Sequence, residues 1–401
     1  MKAFERGVPE AALPPVRWPA EMNKIPKEIF VRPDVFEEEI EKIFRGKEWF
    51  PVAHEGEIPN NGDFKTYTLA RMPLLITRDL EGKVNVMFNA CSHRGTQVET
   101  ATSGNKKQFE CPYHRWVFDA KGHMIGCPAK PGDFSPDFSY EKYPLARPRV
   151  AIVSGLIMVT FNEESPPIEV YLEGLLDHIG QVLGGDGRLR LLGYQKVVFK
   201  VNWKVYRDND SYHAPLLHAA FRMLNWHGGK GKPFVNDRGH RGTVSELSLP
   251  KSTSVLKDNS LLEYRGGQMS AGSMIMHFFP LVSAIKHLDA ITVRYANPLS
   301  VDETEVHYAY FGHVDDDEEM TRHRVRQASN LLGPCGLVSM EDAAVFHRVQ
   351  LASHTPGPAI FQKGVKNEFE MPTQFGQNDE TNNLPGWEHY RKIMGYAKEQ
   401  A

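Results

Sequence analysis

Apolar residues between positions 34 and 46 recur at helical spacing, with Phe36, Ile40, Ile43 and Phe44 on one face, Asp34 as a candidate N-cap and Glu37 three residues on. They predict an amphipathic first helix. From about residue 50 to 126 the pattern shortens to strands rich in β-branched and aromatic residues: TYTL, PLLIT, VNVMF, QFEC and WVFDA, the last turning back through Lys121-Gly122. That is the pattern of a small all-β domain. Pro128, Pro131, Pro136, Pro144 and Pro148 then punctuate an extended connection with little periodicity.

Beyond it, VAIVSGLIMVTF reads as a hairpin about Ser154-Gly155, and Leu172, Leu175, Leu176, Ile179 and Leu183 read as one helix face. Strands such as AITVRYANPL and EVHYAYFGHV alternate with helices near 203–224, 317–332, 339–350 and 386–397. Without a regular βαβ order this predicts an α+β fold, with an antiparallel sheet flanked by helices in the second half. The expected division is an N-terminal arm and first helix over 1–48, the all-β domain over 49–150 and a larger domain over 151–401.

Size and charge narrow the partners. At 401 residues with 41% apolar content the chain can bury two or three real cores, and a net charge of -3 without a basic stripe argues against nucleic acid and anionic membrane surfaces. The opening MKAFERGVPEAALPP lacks the apolar core of a signal peptide, and no apolar run is long enough to span a bilayer, so a cytoplasmic location is expected. Four cysteines are too few to suggest a disulfide framework. Cys127 and Cys335 read as plain thiols.

The other two cysteines belong to matched knuckles, Cys91-Ser-His93 and Cys111-Pro-Tyr-His114, each in a loop at a strand end. Two thiolates and two imidazoles fit a Rieske [2Fe-2S] cluster, with both cysteines on one iron and both histidines on the other. The same atoms could hold a structural zinc, although zinc fingers usually pair cysteine with cysteine and histidine with histidine. The full strings CSHRG and CPYHRW resemble the ligand loops of the Rieske ring-hydroxylating oxygenases, in their large (alpha) subunit.

The segment from Asn202-Trp-Lys to His213 and His218 places two histidines five residues apart behind a carboxylate. On an ideal helix that spacing sweeps about 500°, so both imidazoles reach one metal only if Pro215 distorts the helix. The string resembles the iron-binding segment of the same oxygenases, and GPCGLVSMEDAAVFHRVQ resembles the region of their third ligand. The resemblance implies a 2-His-1-carboxylate site for ferrous iron made by His213, His218 and Asp342, with positions left open for dioxygen. Glu341 competes with Asp342, but helical neighbours differ by about 100° in direction, so one of the two faces the metal.

In that family an acid three residues before the first histidine bridges the two metal sites, and here it is Asp210. The approach to the iron is two or three residues shorter than in most family members. Asn209 therefore sits beside Asp210 instead of a turn earlier, and no role carries over to it. The resemblance further implies a homotrimer in which the cluster of one subunit serves the iron of the next, with Asp210 linking His213 to His114 of the adjacent chain. A small beta subunit is a further possible component.

No G-x-G-x-x-G unit opens a predicted Rossmann domain, so oxidation of NAD(P)H is expected on a separate flavin-containing reductase, with or without a ferredoxin. The closest resemblance is to oxygenases of aromatic acids, through GPCG…SMEDAAV and the C-terminal WEHYRKIMG helix. It implies hydroxylation of an aryl carboxylate; oxidative demethylation or monooxygenation of a non-carboxylate substrate stays open. Lys286, His287 and Arg294 lie in the sheet segment before the third ligand as candidate carboxylate anchors, and the Met223–Trp226 stretch could line the pocket mouth. An electron carrier or ligand-binding module without catalytic iron is the alternative of another class.

Overall fold

The computed structural model describes residues 13–130, 132–208, 231–245, 254, 256–266 and 273–400. The first helix forms at Pro33–Glu39, and its last turn widens into a π-turn over Ile40–Phe44. Asp34 does not cap it. Pro33 takes the first helical position behind Arg32, no side chain caps the end, and Asp34 instead grips the Arg32 guanidinium at 2.5 and 3.1 Å.

The strands expected between 50 and 126 all form. Asp63–Leu69, Met72–Arg78 and Val84–Phe88 make an antiparallel meander with Ser103–Asn105 on its outer edge, and Gln108–Glu110, Val117–Asp119 and Met124–Gly126 make a second sheet. Around them Phe64, Leu75, Met87, Phe109, Trp116 and Phe118 close a small core of their own, in which Cys91 and Cys111 are buried. The hairpin of Arg149–Val153 and Leu156–Thr160 turns at Ser154-Gly155, both at positive φ, as a two-residue turn matched to strand twist requires. Its second strand pairs with Phe50–His54, and this sheet joins the larger core.

The leucine face read between 172 and 183 is broken. A short helix Ile168–Tyr171 ends at Leu172, and the next spans Leu176–Val182, so Leu172, Leu175, Ile179 and Leu183 are buried while Leu176 points to solvent. Gly174, at φ 78°, makes the break between them.

The second half is built on a seven-stranded antiparallel sheet in the order Leu189–Phe199, Glu303–His313, Ala290–Ser300, Val282–His287, Ser273–Phe278, Arg241–Ser245 and Lys232–Val235. Helices Glu318–Gln327, Ser339–Ala352 and Leu384–Met394 match the expected positions, and the helix expected near 203–224 is described over Trp203–Arg207. Because side chains alternate along a strand, register decides which face each one serves. The pairs Arg241↔His277, His277↔Ser283, Ser283↔Arg294, Arg294↔Tyr308 and Tyr308↔Gln195 put one polar row across six strands of one face. Met276, Ala284, Val293, Tyr295 and Ala309 fall on the other, and that face meets the N-terminal domain through Tyr295 and Tyr67, whose rings lie 6.1 Å apart.

Buried carboxylates lock the halves together. Glu57 pairs with Lys65 at 2.5 Å, both almost fully buried, and accepts hydrogen bonds from the hydroxyls of Tyr295 (2.8 Å) and Tyr194 on the large sheet. Glu39 pairs with Lys204 at 2.6 Å and accepts from Trp203 Nε1 at 2.8 Å and from the Tyr390 hydroxyl. Glu48 accepts from the Tyr171 hydroxyl at 2.9 Å and meets His389 Nε2 at 3.1 Å. Burial pushes the Glu57 carboxyl up. The charge of Lys65 and the hydrogen bonds from Lys65, Tyr194 and Tyr295 outweigh that and hold it below its ordinary 4.5.

Replacing Glu57 by Ala would leave the Lys65 ammonium buried without its counter-charge, and the expected loss of stability is about 3–5 kcal/mol by chemical denaturation. A group whose folded pKa is depressed contributes fully above its unfolded value and loses that contribution as pH falls through the folded one. The stability gap between wild type and Glu57→Gln should therefore be widest near neutral pH and close below pH 4.5, the ordinary value of the group. A gap that is flat with pH would show that the carboxylate charge is not what holds the joint.

Candidate metal centres

The two knuckles fold the same way twice. Gly95 N donates to Cys91 O at 2.8 Å and Cys91 N to Thr96 O at 2.8 Å; Arg115 N donates to Cys111 O at 3.0 Å and Cys111 N to Trp116 O at 2.8 Å. The fourth residue after each cysteine is left-handed, Gly95 at φ 76° and Arg115 at φ 61°. Arg115 holds that strained position with its guanidinium on Glu110 at 2.6 Å. The result is two equivalent cradles facing each other.

Cys91 and Cys111 lie against each other inside the small core. Burial pushes the Cys91 thiol up, and the adjacent Cys111 adds to it against the pull of the His93 N–H, so a thiolate pair here calls for a cation. His93 stacks on Trp116 at 4.7 Å with the rings 10° apart, and its ring centre is 4.5 Å from that of His114. His114 Nδ1 is buried with no hydrogen-bond partner. The donors thus come as an inner thiol pair and an outer imidazole pair. Two thiols and two imidazoles, one of each from either loop, are the donor set of a two-iron cluster with both sulfurs on one iron and both rings on the other.

The second centre is described in part: Asp210, His213 and His218, with the Met223–Trp226 stretch, lie outside the described residues. What leads into it is ordered by the Asn-Trp-Lys string. Asn202 caps the helix Trp203–Arg207 by accepting from Lys204 N at 3.0 Å, while Trp203 and Lys204 are both held by Glu39. At its far end Trp387 Nε1 donates to Asp208 at 3.1 Å.

Asp342 lies in the first turn of the helix Ser339–Ala352, 6% exposed, while Glu341 beside it is half-buried. The step of about 100° between helical neighbours separates them as expected. The Asp342 carboxylate acts on Arg294, Tyr308 and Tyr206; burial first, then Tyr308 and this acid, push the Tyr206 phenol well above its ordinary value. Asp342 therefore belongs to the polar face of the large sheet.

Register separates the two candidate anchors. Arg294 shares the Asp342 face: its Nη2 donates to Leu332 O at 2.9 Å, its guanidinium lies 4.9 Å from the Tyr308 ring centre, and its Nε is buried without a hydrogen-bond partner. Lys286 pairs with Ile291 and so faces the opposite side, which removes it as an anchor at this site. Burial lowers its ammonium to about 8, against the pull of Asp289. His287 is on the Arg294 face, but at the far end of its strand, 2.7 Å from Ser273 Oγ.

A cleft beside Arg294 is lined by Tyr206, Arg207, His277, Phe279 and Ser283. Sequence reasoning missed His277 and Ser283, together with Arg241 behind them. Their only signal was polar residues at even spacing in strands (Ser273 and His277, Ser283 and His287, Arg241 and Thr243), which an outward, solvated face produces equally well.

The comparisons agree with this anatomy. Residues 48–144 match the model of the Rieske [2Fe-2S] domain, and residues 187–381 that of the ring-hydroxylating alpha subunit, catalytic domain. The chain is 31% identical to the terephthalate 1,2-dioxygenase terminal oxygenase component subunit alpha 2 of Comamonas sp, over 95% of this chain and 98% of that one. It is 30% identical to the salicylate 5-hydroxylase large oxygenase component of Ralstonia sp (82% and 85%) and 30% identical to the anthranilate 1,2-dioxygenase large subunit of Burkholderia cepacia (93% and 94%). In fold it is similar to naphthalene 1,2-dioxygenase from Rhodococcus sp. bound to indole, with a TM-score of 0.80 at 24% identity over 92% of this chain and 94% of that one. With a Rieske domain carrying paired thiol and imidazole donors, and a catalytic domain presenting a buried acid on its polar sheet face, the chain belongs to the alpha subunits of the ring-hydroxylating Rieske oxygenases.

Proposed function

We propose that this chain hydroxylates an aromatic carboxylate, with Cys91, His93, Cys111 and His114 holding the [2Fe-2S] cluster and His213, His218 and Asp342 holding a mononuclear iron. The observation that carries the substrate class is Arg294, a buried guanidinium on the Asp342 face with an unsatisfied Nε and no ion-pair partner among the described residues. Relatives named for terephthalate, salicylate and anthranilate support the same class. A quaternary ammonium substrate, as in a monooxygenase of similar fold, would be repelled by that charge.

Bound at these residues, the iron would supply dioxygen activation and the cluster would store one of the two electrons that a turnover consumes. The chain's own residues do the rest. Arg294 orients the substrate by its carboxylate, and Tyr206, Phe279 and Ser283 shape the wall against which the ring lies. Adding one or both oxygen atoms consumes the same dioxygen, two electrons and two protons, so substrate pose decides the product. The electrons come from NAD(P)H through a separate reductase, with or without a ferredoxin.

In this reading the assembly is a trimer, with or without a small beta subunit, in which the cluster of one subunit serves the iron of its neighbour. Asp210 joins His213 to His114 across the interface. The unsatisfied Nδ1 of His114 supports metal ligation through that atom, which leaves Nε2 for the neighbour. No described helix is long and apolar enough to cross a membrane, and we place the protein in the cytoplasm, where reduced nicotinamide is at hand.

The metal assignments predict about three irons per chain with a red-brown spectrum, about one with loss of colour in Cys91→Ser, and about two with colour kept but turnover abolished in Asp342→Ala. Colourless wild-type protein holding zinc would overturn them. For the bridge, Asp210→Ala should keep both metals and a reducible cluster while product formation falls at least about 100-fold. Turnover near normal with both metals loaded would remove Asp210 from the path. Mass spectrometry of products from a panel of aryl acids, with reductase and NADH, tests the substrate class, and labelled dioxygen reports how many oxygen atoms enter.

A further inference from the structure

The polar row across the large sheet contains two buried guanidiniums, each with donors left without a hydrogen-bond partner. Arg241 is 3% exposed and Arg294 is 7% exposed. Arg241 donates from Nη2 to Arg207 O at 2.8 Å, while its Nε and Nη1 are buried with no hydrogen-bond partner, like Arg294 Nε. Among the described residues neither guanidinium forms an ion pair with an acid. Sequestering a cation from water without a partner costs several kcal/mol. Structures keep such a cost mainly where a ligand removes it.

Register shows where such a ligand would lie. Arg241 and Arg294 are in line on strands three spacings apart, about 14 Å between backbones, with His277 and Ser283 on the two strands between them. An arginine side chain is long enough to lean along the sheet over the neighbouring strand, and the charges of both guanidiniums act on His277 between them. Burial, then the charges of Arg241 and Arg294, lower the basicity of His277 well below its ordinary range and keep the ring neutral. His277 and Ser283 both line the cleft.

We propose that Arg241 and Arg294 form a two-cation receptor for the carboxylate of the substrate, with neutral His277 and the Ser283 hydroxyl as its hydrogen-bonding floor. This rests on the assignment of an aryl acid as substrate and deepens it: charge recognition is shared between two strands, and Arg241 sets specificity without touching the iron. The Asp342 charge felt by Arg294 places the receptor beside the metal centre, so a carboxylate seated there leaves the ring directed towards it. Arg241 also caps the last turn of the helix Trp203–Arg207, which links the receptor to the segment entering the iron site.

The test uses the metal-loaded protein and its thermal midpoint in the presence of benzoate, salicylate or anthranilate, with benzamide as the uncharged control. At least one of the acids should raise the midpoint of wild type and benzamide should not. Arg241→Gln and Arg294→Gln should each weaken acid binding about 10- to 100-fold. Ligand-free Arg241→Gln should melt at or above wild type, because a buried unpaired charge has gone; a merely structural arginine would lower the midpoint. Arg241→Lys keeps the charge and should retain binding better than Arg241→Gln, and Ser283→Ala should weaken it about 3- to 10-fold.

These two variants decide the matter if Arg241→Gln does not fold. Acid binding unchanged in Arg241→Gln, or in Arg241→Lys and Ser283→Ala together, would overturn the receptor and leave the aryl-acid assignment standing. A wild type indifferent to every acid, while neutral aryl compounds are oxidised, would overturn the aryl-acid assignment itself.

Discussion

Two redox centres can work together only if the protein holds the parts around them still, and here buried charge does the holding. Glu57 and Lys65 on the N-terminal domain meet Tyr194 and Tyr295 of the large sheet in a network closed from water. A salt bridge of this kind adds little net stability compared with apolar packing, but it tolerates no sliding, because any displacement leaves a charge unsatisfied in a low-dielectric interior. Glu39 and Glu48 repeat the device nearer the N-terminus, gripping Lys204, Trp203, Tyr390 and Tyr171. The Trp-Lys pair that Glu39 holds starts the helix entering the iron segment, so the same bond that fixes the N-terminal arm also orients the approach to the second metal.

The large sheet divides the labour between its faces. One meets the Rieske domain through Tyr295; the other carries Gln195, Tyr308, Arg294, Ser283, His277 and Arg241 in a single row beside Asp342. A strand inverts its side chains at every residue, so the arrangement leaves no room for a one-residue slip. The small core around Cys91 and Cys111 is a separate packing unit from the large one, which lets the cluster loops keep their own geometry.

The Rieske cluster was legible in sequence because the four candidate donors come from two short loops, whose local backbone geometry brings each pair together. The burial of Asp342 was legible through its helix, where a turn of about 100° per residue separates it from Glu341. Arg294 and Lys286 looked equivalent because both sit in strands, and only pairing assigns them to faces: Ser283 opposite Arg294 puts Lys286 on the far side. Glu39 lay at helical spacing between Phe36 and Ile43, so its burial could have been read, yet its partners Lys204 and Tyr390 are far along the chain.

What the sequence determined by itself is therefore the local part: the knuckle loops, the order of strands and helices, and the helix that presents Asp342, each set by backbone preferences over a few residues. Tertiary structure decided which polar strand residues share a face with Asp342 and which glutamates are buried. It also set Arg241 and Arg294 in one row, with no ion pair to either among the described residues. Those outcomes depend on which strand pairs with which, and pairing is settled by the burial of whole faces that no short stretch of chain encodes.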